Sequence, residues 1–398
     1  VSSALYPYQE VSANWLAGRQ TALLADRPRV GKTAAVIRAS DHVVAFDVLE
    51  ITTGSARMDH ARAWKRFQLL DRDVTPIFAG DSDLPDSGVI IASFALASGA
   101  LFEKLLRRRF DAVWIDEVHR AKTPGIPVTN AIYGPKNDRA DGLTGQADTV
   151  WTTSGTPAPN HQGELWTLLR ALYPEAIMSA HGRPYFYEQF EKKYVNVVQG
   201  KHGPQVVGAK RTDEFRDRIA PFILRRSLED VRPDLPKLRV DTLMLDGRSA
   251  MARLRSIEES EKLAPLRDAL ARMDAGDETG WEALDLDDVH IATLRRLTGL
   301  AKVAPMIEWA REAFADGTEK LVLFAQHTDV INSLAEGLSA FKPLVLAGGV
   351  PGEKRQALQD AFRSPQHRLF IGQTQAAGEA IDLSAADEAV AVEPSWSP

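Results

Sequence analysis

The chain has no cysteine among its 398 residues, which excludes disulfides and thiolate-held metals and suits a reducing compartment. It also lacks an apolar run long enough to cross a bilayer, and Val1 to Gln9 lacks the charged and apolar regions of a secretory signal. These absences predict a cytoplasmic protein with no membrane partner. An excess of positive charge is missing too: 48 Lys and Arg stand against 54 Asp and Glu, a net charge of −6. Any contact with a polyanion must therefore be local rather than a property of the whole surface. No internal repeat or low-complexity tract stands out. What remains, 44% apolar and 26% charged residues, is ordinary globular composition in a chain long enough for two or three domains.

The most informative stretch is Leu23-Leu24-Ala25-Asp26-Arg27-Pro28-Arg29-Val30-Gly31-Lys32-Thr33. An apolar strand runs into a tight loop, and Ala34 to Arg38 reads as the first turns of a helix. Unpaired N–H groups and the positive pole at a helix N-terminus bind phosphate oxygens. Lys32 supplies a point charge for β- and γ-phosphates and the Thr33 hydroxyl a ligand for Mg²⁺. Asp26, Arg29, Val30 and Gly31 complete the candidate nucleotide loop, with Asp26 and Arg29 standing where other such loops carry glycine. A positive φ at Arg29 would cost about 1 kcal/mol, because only glycine escapes the Cβ clash. Upstream, Gln9 either reads adenine with its amide or is a surface residue at a helix start.

Phe110 to Ile115 is a second apolar strand, and Asp116-Glu117-Val118-His119 follows it. Beside a phosphate loop, two adjacent carboxylates at a strand end suit nucleotide hydrolysis: Asp116 for Mg²⁺, Glu117 to deprotonate the attacking water. Lys32, Asp116 and Glu117 are thus the catalytic candidates. His119 either couples this edge to the next motif or is a structural histidine. Strand-like runs also cover His42 to Ile51, Val89 to Phe94 and Thr149 to Thr153. After the first of them, Thr52, Thr53 and Arg57 either meet a nucleic-acid backbone or form a polar turn before a helix. Arg107-Arg108-Arg109 reads as a solvated helix end.

The run Thr153-Ser154-Gly155-Thr156-Pro157 with Asn160 and Glu164-Leu165-Trp166, preceded by Asp116-Glu117-Val118-His119 and Ala121-Lys122-Thr123, resembles the Swi/Snf-type branch of superfamily-two DNA translocases. Phe186, Phe190 and Tyr194, then Pro221-Phe222-Ile223-Leu224-Arg225-Arg226 and Asp230-Val231, are similar to the family's helical insertion and its passage to a second lobe. The fork-remodelling, strand-annealing subgroup is the nearest in flavour. Further on, Leu294 to Val303, Lys320 to Ala325, Gly348-Gly349 and Thr374 to Leu383 continue the resemblance. Within the last of these, Ala377 and Ala380 stand where the family commonly has glycine.

The resemblance implies an α/β fold of two RecA-like parallel-sheet lobes. Lobe 1 would span residues 1–224 with a helical insertion at about 160–222. Lobe 2 would span 225–398 with a second insertion at about 247–312, after a strand at Arg239 to Met244. It implies ATP and Mg²⁺ as cofactors and double-stranded DNA, branched or forked, as the partner of a monomeric motor. His119, Ser154, Gly155, Thr156 and Gly378 would relay nucleotide state, and Ser93, Thr374 and Gln375 would join Thr52, Thr53 and Arg57 at the DNA, while Gln326 and His327 at the end of the Lys320 to Ala325 strand either touch the DNA backbone or only cap the loop. The family's final motif, a glutamine and two spaced arginines, would follow Pro398, so the chain is expected to be a piece of a longer protein. Two other functions remain open: an ATP-regulated DNA-binding module with little or no hydrolysis, and an RNA or single-strand helicase of the same superfamily.

Overall fold

The computed structural model describes residues 4–393 apart from 137–138, 201–202, 236–238, 246–287, 349, 351 and 375–380. The chain forms two compact units, Val1–Leu238 and Arg239–Pro398. In the first, β1 (Thr21–Leu24), β2 (Val48–Thr52), β3 (Val74–Pro76), β4 (Val89–Ser93), β5 (Ala112–Ile115), β6 (Thr149–Thr153) and β9 (Ile223–Leu224) make one sheet. Its order is β3-β4-β2-β5-β6-β1-β9, and every pairing is parallel. A parallel sheet is covered on both faces, which is why β4 and β5 read as unbroken apolar runs.

Alternation along each strand divides the core. Leu23, Leu49, Ile51, Ile90, Val113 and Ile115 pack on one face. Leu24, Val48, Ile91, Trp114 and Trp151 pack on the other, against helices α1 (Pro7–Ala17), α2 (Lys32–His42) and α3 (Arg57–Phe67). Burial of this apolar surface, at roughly 25 cal/mol per Å², holds the helices on the sheet.

The second unit holds a smaller parallel sheet, β11-β12-β10-β13, built from β10 (Leu321–Ala325), β11 (Leu344–Leu346), β12 (Leu369–Gln373) and β13 (Glu388–Ala391). A long helix, Asp288–Ala315, precedes it, and Val303, Met306, Ala310 and Phe314 of that helix pack onto the sheet's core. Among the described residues no helix is long and apolar enough to cross a membrane.

Four expectations need correction. The boundary expected at 224/225 falls inside the first unit, because the chain beyond β9 stays tied to it: the Arg226 carbonyl accepts the Arg27 N–H at 2.9 Å and the Arg226 side chain pairs with Asp26. The insertion expected to be mainly helical contains an antiparallel hairpin, β7 (Val195–Gly200) with β8 (Gly203–Ala209), whose valines favour extended backbone. Arg239 to Met244 is not a strand, and Val240 and Met244 are exposed; alternation without a neighbouring strand to pair with does not make one. The run His42 to Ile51 is divided, since α2 extends to His42 and the strand begins only at Val48. Most of the second insertion, 246–287, lies outside the described residues.

Candidate active site

The loop after β1 turns sharply into α2. Arg29 adopts φ 70° and Gly31 φ 94°, so the strain expected at Arg29 is present. Gly31 is the N-cap of α2 and offers no side chain there, which leaves the first-turn N–H groups for a ligand. Gln9 lies over this loop. Its amide oxygen accepts from the Tyr6 N–H at 2.9 Å and its Nε2 donates to the Val30 carbonyl at 3.5 Å. A Cβ on Gly31 would sit 2.0 Å from that nitrogen. The Gln9 amide could swing aside, so the positive φ is the firmer reason for glycine. The amide expected to read adenine is therefore used on the loop backbone in this structure.

Lys32 donates from Nζ to the Asp26 carbonyl at 2.8 Å. Burial pushes the ammonium pKa down while the charges of Glu117, Asp116 and Asp26 act against it, and the net direction is downward. The Asp26 side chain is engaged by Arg226. It is buried against Arg226, accepting from that residue's backbone N–H at 2.8 Å and from its guanidinium at 3.2 Å and 2.5 Å. The same guanidinium reaches the Tyr8 carbonyl at 3.3 Å and the Ser12 hydroxyl. One arginine thus ties the chain leaving β9 to the residue that opens the loop and to the helix that carries Gln9.

The two carboxylates after β5 are held differently. Parallel register aligns Ile115 with Ile51 of β2 and with Thr152 of β6. The next residue on each strand is then level with Asp116. Thr52 accordingly donates its hydroxyl to Asp116 Oδ2 at 3.0 Å and Thr153 to Oδ1 at 2.7 Å. Trp114 Nε1 donates to the Thr153 hydroxyl at 2.9 Å, fixing its direction. Each carboxylate oxygen receives one of these hydroxyls and keeps a further lone pair. Glu117 sits at φ 49°, an uncommon conformation for a side-chain-bearing residue. Its Oε2 accepts from Ser154 Oγ at 3.2 Å and lies 3.2 Å from His119 Nδ1. His119 Nδ1 is 2.9 Å from Ser154 Oγ, which also accepts the Thr156 N–H at 3.1 Å. Burial pushes the Glu117 carboxyl up, but the hydrogen bond and charge of His119, the Lys32 ammonium and the Ser154 hydroxyl outweigh it and hold the pKa below its ordinary value. A Cβ on Gly155 would lie 2.9 Å from Pro28, so the Ser154–Thr156 turn rests directly on the phosphate loop.

Sequence reasoning missed a buried pair behind Asp116. Glu50, in the middle of β2, is fully buried. It accepts from Trp64 Nε1 at 2.5 Å and pairs with His60 Nδ1, both on α3. His60 Nε2 lies 3.6 Å from Asp116 Oδ2. Burial pushes the imidazole pKa down, yet Glu50 and, less strongly, Asp116 raise it to about 9. The one signal available was an acidic residue inside an apolar run.

The DNA candidates fare unevenly. Thr52 is fully buried on Asp116, and Ser93 is buried as the cap of the short helix Phe94–Ala97, accepting from the Leu96 N–H at 3.3 Å. Both side chains are engaged inside the unit. Thr53 bonds Ser55 at 3.3 Å. Arg57 donates to the Gly54 carbonyl at 3.1 Å and to that of Ile77, and lies 4.5 Å over the Phe78 ring. In the second unit, Glu393 accepts the Gln326 and His327 N–H groups at 2.7 Å and 3.0 Å and pairs with His327 Nδ1 at 2.6 Å. The Thr374 hydroxyl donates to the Ala325 carbonyl at 3.2 Å. Gln375 and Gly378, with Ala377 and Ala380, lie outside the described residues.

Residues 83–254 match the SNF2-related domain and residues 306–398 the helicase conserved C-terminal domain. The SWI/SNF-related matrix-associated actin-dependent regulator of chromatin subfamily A-like protein 1 of Bos taurus is 27% identical over 406 residues, covering 100% of this chain and 40% of its own length. The DNA annealing helicase and endonuclease ZRANB3 of Bos taurus is 24% identical over 307 residues, 75% of this chain and 26% of its own length. The chain thus spans about two fifths or less of these curated relatives. The Sulfolobus solfataricus SWI2/SNF2 ATPase core in complex with dsDNA aligns with TM-score 0.50 at 20% identity, covering 98% of this chain and 82% of that one. For the Pyrococcus furiosus Hef helicase domain the values are 0.51, 14%, 97% and 89%. These structural likenesses establish the fold, two RecA-like parallel α/β sheets.

Proposed function

Because the chain belongs to the Swi/Snf-type superfamily-two ATPases, we propose that it hydrolyses ATP with Mg²⁺ and uses the energy to translocate on, or remodel, double-stranded DNA. The observation that carries this reading is the convergence of the half-buried Lys32 with Asp116 at the end of β5 and the partly exposed Glu117, whose charges act on its ammonium.

The first-turn N–H groups of α2 hold the phosphates, and Lys32 exchanges the Asp26 carbonyl for the β- and γ-phosphate oxygens. The Thr33 hydroxyl and an Asp116 lone pair are the hard oxygen donors that suit Mg²⁺ beside nucleotide phosphates. When bound, that ion neutralises charge developing on the phosphoryl oxygens. Glu117, kept ionised by His119, Lys32 and Ser154, takes the proton of a water whose oxygen bonds to the γ-phosphorus. The bond from that phosphorus to the β–γ bridging oxygen breaks, and ADP leaves with the electron pair. Ser154 is bonded at once to Glu117, His119 and the Thr156 N–H, so a change at the γ-phosphate reaches the turn that rests on Pro28.

The net charge of −6 confines the DNA contact to a local basic surface, so affinity falls steeply with added salt. The similar Sulfolobus solfataricus core is in complex with dsDNA, and one of the curated relatives is a DNA annealing helicase. The first supports duplex DNA as the partner, and the second DNA rather than RNA.

The deciding experiment measures phosphate release from ATP with duplex DNA, single-stranded DNA, RNA or no nucleic acid, for the unaltered chain, Lys32→Ala and Glu117→Gln. Duplex-stimulated turnover that both substitutions abolish supports the reading, and turnover indifferent to both overturns it. Nucleotide binding without phosphate release would favour the binding module, and stimulation by RNA or single strands the other helicase class.

A further inference from the structure

Glu50 and His60 have no part in the chemistry above, yet their placement is costly. A carboxylate with no solvent contact in a central strand of a parallel sheet is stable only if it is paired and hydrogen-bonded. Glu50 meets both conditions through α3, with His60 on one oxygen and Trp64 Nε1 on the other. The ring of His60 is itself fixed, stacked on Trp114 at 5.3 Å with 25° between planes. With Nδ1 committed to Glu50, its Nε2 faces Asp116 Oδ2 at 3.6 Å. Strand alternation puts Glu50, Thr52, Trp114 and Asp116 on the same side of the sheet, so this chain of contacts runs directly beneath the catalytic edge. The remaining acidic neighbour of His60 is Asp59, on its own helix.

We propose that Glu50 and His60 are a positioning pair for the metal site: Glu50 orients the imidazole, and the imidazole, with the Thr52 and Thr153 hydroxyls, holds Asp116 in the one orientation that serves Mg²⁺. This rests on the reading of Asp116 as the carboxylate that faces the ion. Groups that bond a metal-facing ligand from behind set its direction and basicity, and their loss typically weakens metal affinity about 10–100-fold.

The test is binding rather than turnover. N-methylanthraniloyl-labelled ADP is titrated into the whole chain at increasing Mg²⁺, for the unaltered protein, Asp116→Asn and Glu50→Gln/His60→Gln. The double variant is chosen because either single change strands a buried charge. Its half-saturating Mg²⁺ is expected to rise about tenfold while nucleotide affinity without Mg²⁺ stays unchanged; a purely structural role would lower the melting temperature and leave the Mg²⁺ dependence where it was. An unchanged or lowered Mg²⁺ requirement in the folded double variant overturns the proposal. Should Asp116→Asn also leave the requirement unchanged, the assignment of the site itself fails. A second measurement needs no substitution: in the ADP-saturated native chain, the ring-nitrogen resonances of His60 shift when Mg²⁺ is added. Resonances that stay in place overturn the proposal even if the double variant does not fold.

Discussion

Asp116 in the first unit and Glu393 in the second occupy comparable places, each just beyond the end of a parallel strand, and they do opposite work. Asp116 is held by two side-chain hydroxyls from flanking strands, about half of what a carboxylate accepts, which leaves lone pairs for the proposed metal. Glu393 is taken up by two successive backbone N–H groups and an imidazole, and a Cβ on Gly299 would lie 2.3 Å from its Oε1. It is a cap for the loop after β10, closed in by packing. An acidic residue after a strand is therefore not in itself a site. The donors that hold it, and what they leave over, decide.

The comparison is broken most directly at the edge that Asp116 shares with Glu117. Glu117→Gln removes the proton acceptor while keeping a partner for Ser154, so turnover should fall about 10²–10⁴-fold, equivalent to roughly 3–5 kcal/mol of barrier. The melting temperature should hardly move, and steady-state phosphate release with a thermal melt checks both. Equal losses of turnover and stability would put Glu117 in the same class as Glu393.

A third carboxylate sharpens the contrast. Asp26 is a cap like Glu393 but sits at the phosphate loop, and Arg226→Ala would strand it in the interior. A cost of about 3 kcal/mol in denaturant unfolding is expected, with nucleotide affinity lost as well, because the helix carrying Gln9 is released. Full affinity in a folded Arg226→Ala protein would detach that strut from the site.

Glu393→Gln puts an NH₂ in place of one of two accepting oxygens, the one on both backbone donors or the one on His327 Nδ1. Stability of the second unit should drop by about 1–3 kcal/mol, while nucleotide binding in the first unit persists, as urea melts and nucleotide titration would show. Thr153→Val is smaller still, since it removes one of two hydroxyls on Asp116 and leaves the Trp114 N–H without its acceptor. About 1 kcal/mol of stability should go, with a rise in the Mg²⁺ needed for nucleotide binding.

Acidity separates the two sets last. The folded-state pKa of Glu117 lies below its ordinary value, so its stabilising contribution is present above the unfolded pKa and disappears as pH falls through the folded one; turnover should keep its base well into the acid range. His60 runs the other way, raised to about 9 by Glu50 and Asp116 against the effect of burial. Its contribution is complete below the unfolded value and is lost as pH climbs toward 9. Unfolding followed from pH 6 to 10 should show that decline in the unaltered chain and not in Glu50→Gln/His60→Gln.

Whereas the two parallel sheets followed from the family resemblance, the loop from Asp26 to Thr33, the acidic pair at 116 and 117 and the Ser154–Thr156 turn were legible in the amino-acid order. Each is a local pattern, in which a handful of consecutive residues dictates strand, turn or helix start and places its own reactive group. The hairpin at 195–209 and the absence of a strand at 239–244 were not legible, since extended segments declare themselves only once a neighbour is found. Nor were the partners of the carboxylates. Thr52 and Thr153 meet Asp116 through strand register across 64 and 37 residues, Glu50 meets His60 through a helix laid over its strand, and Arg226 returns to Asp26 across 200 residues. Those pairings are set by which buried faces pack together, a property of the assembled sheet that no spacing along the chain contains.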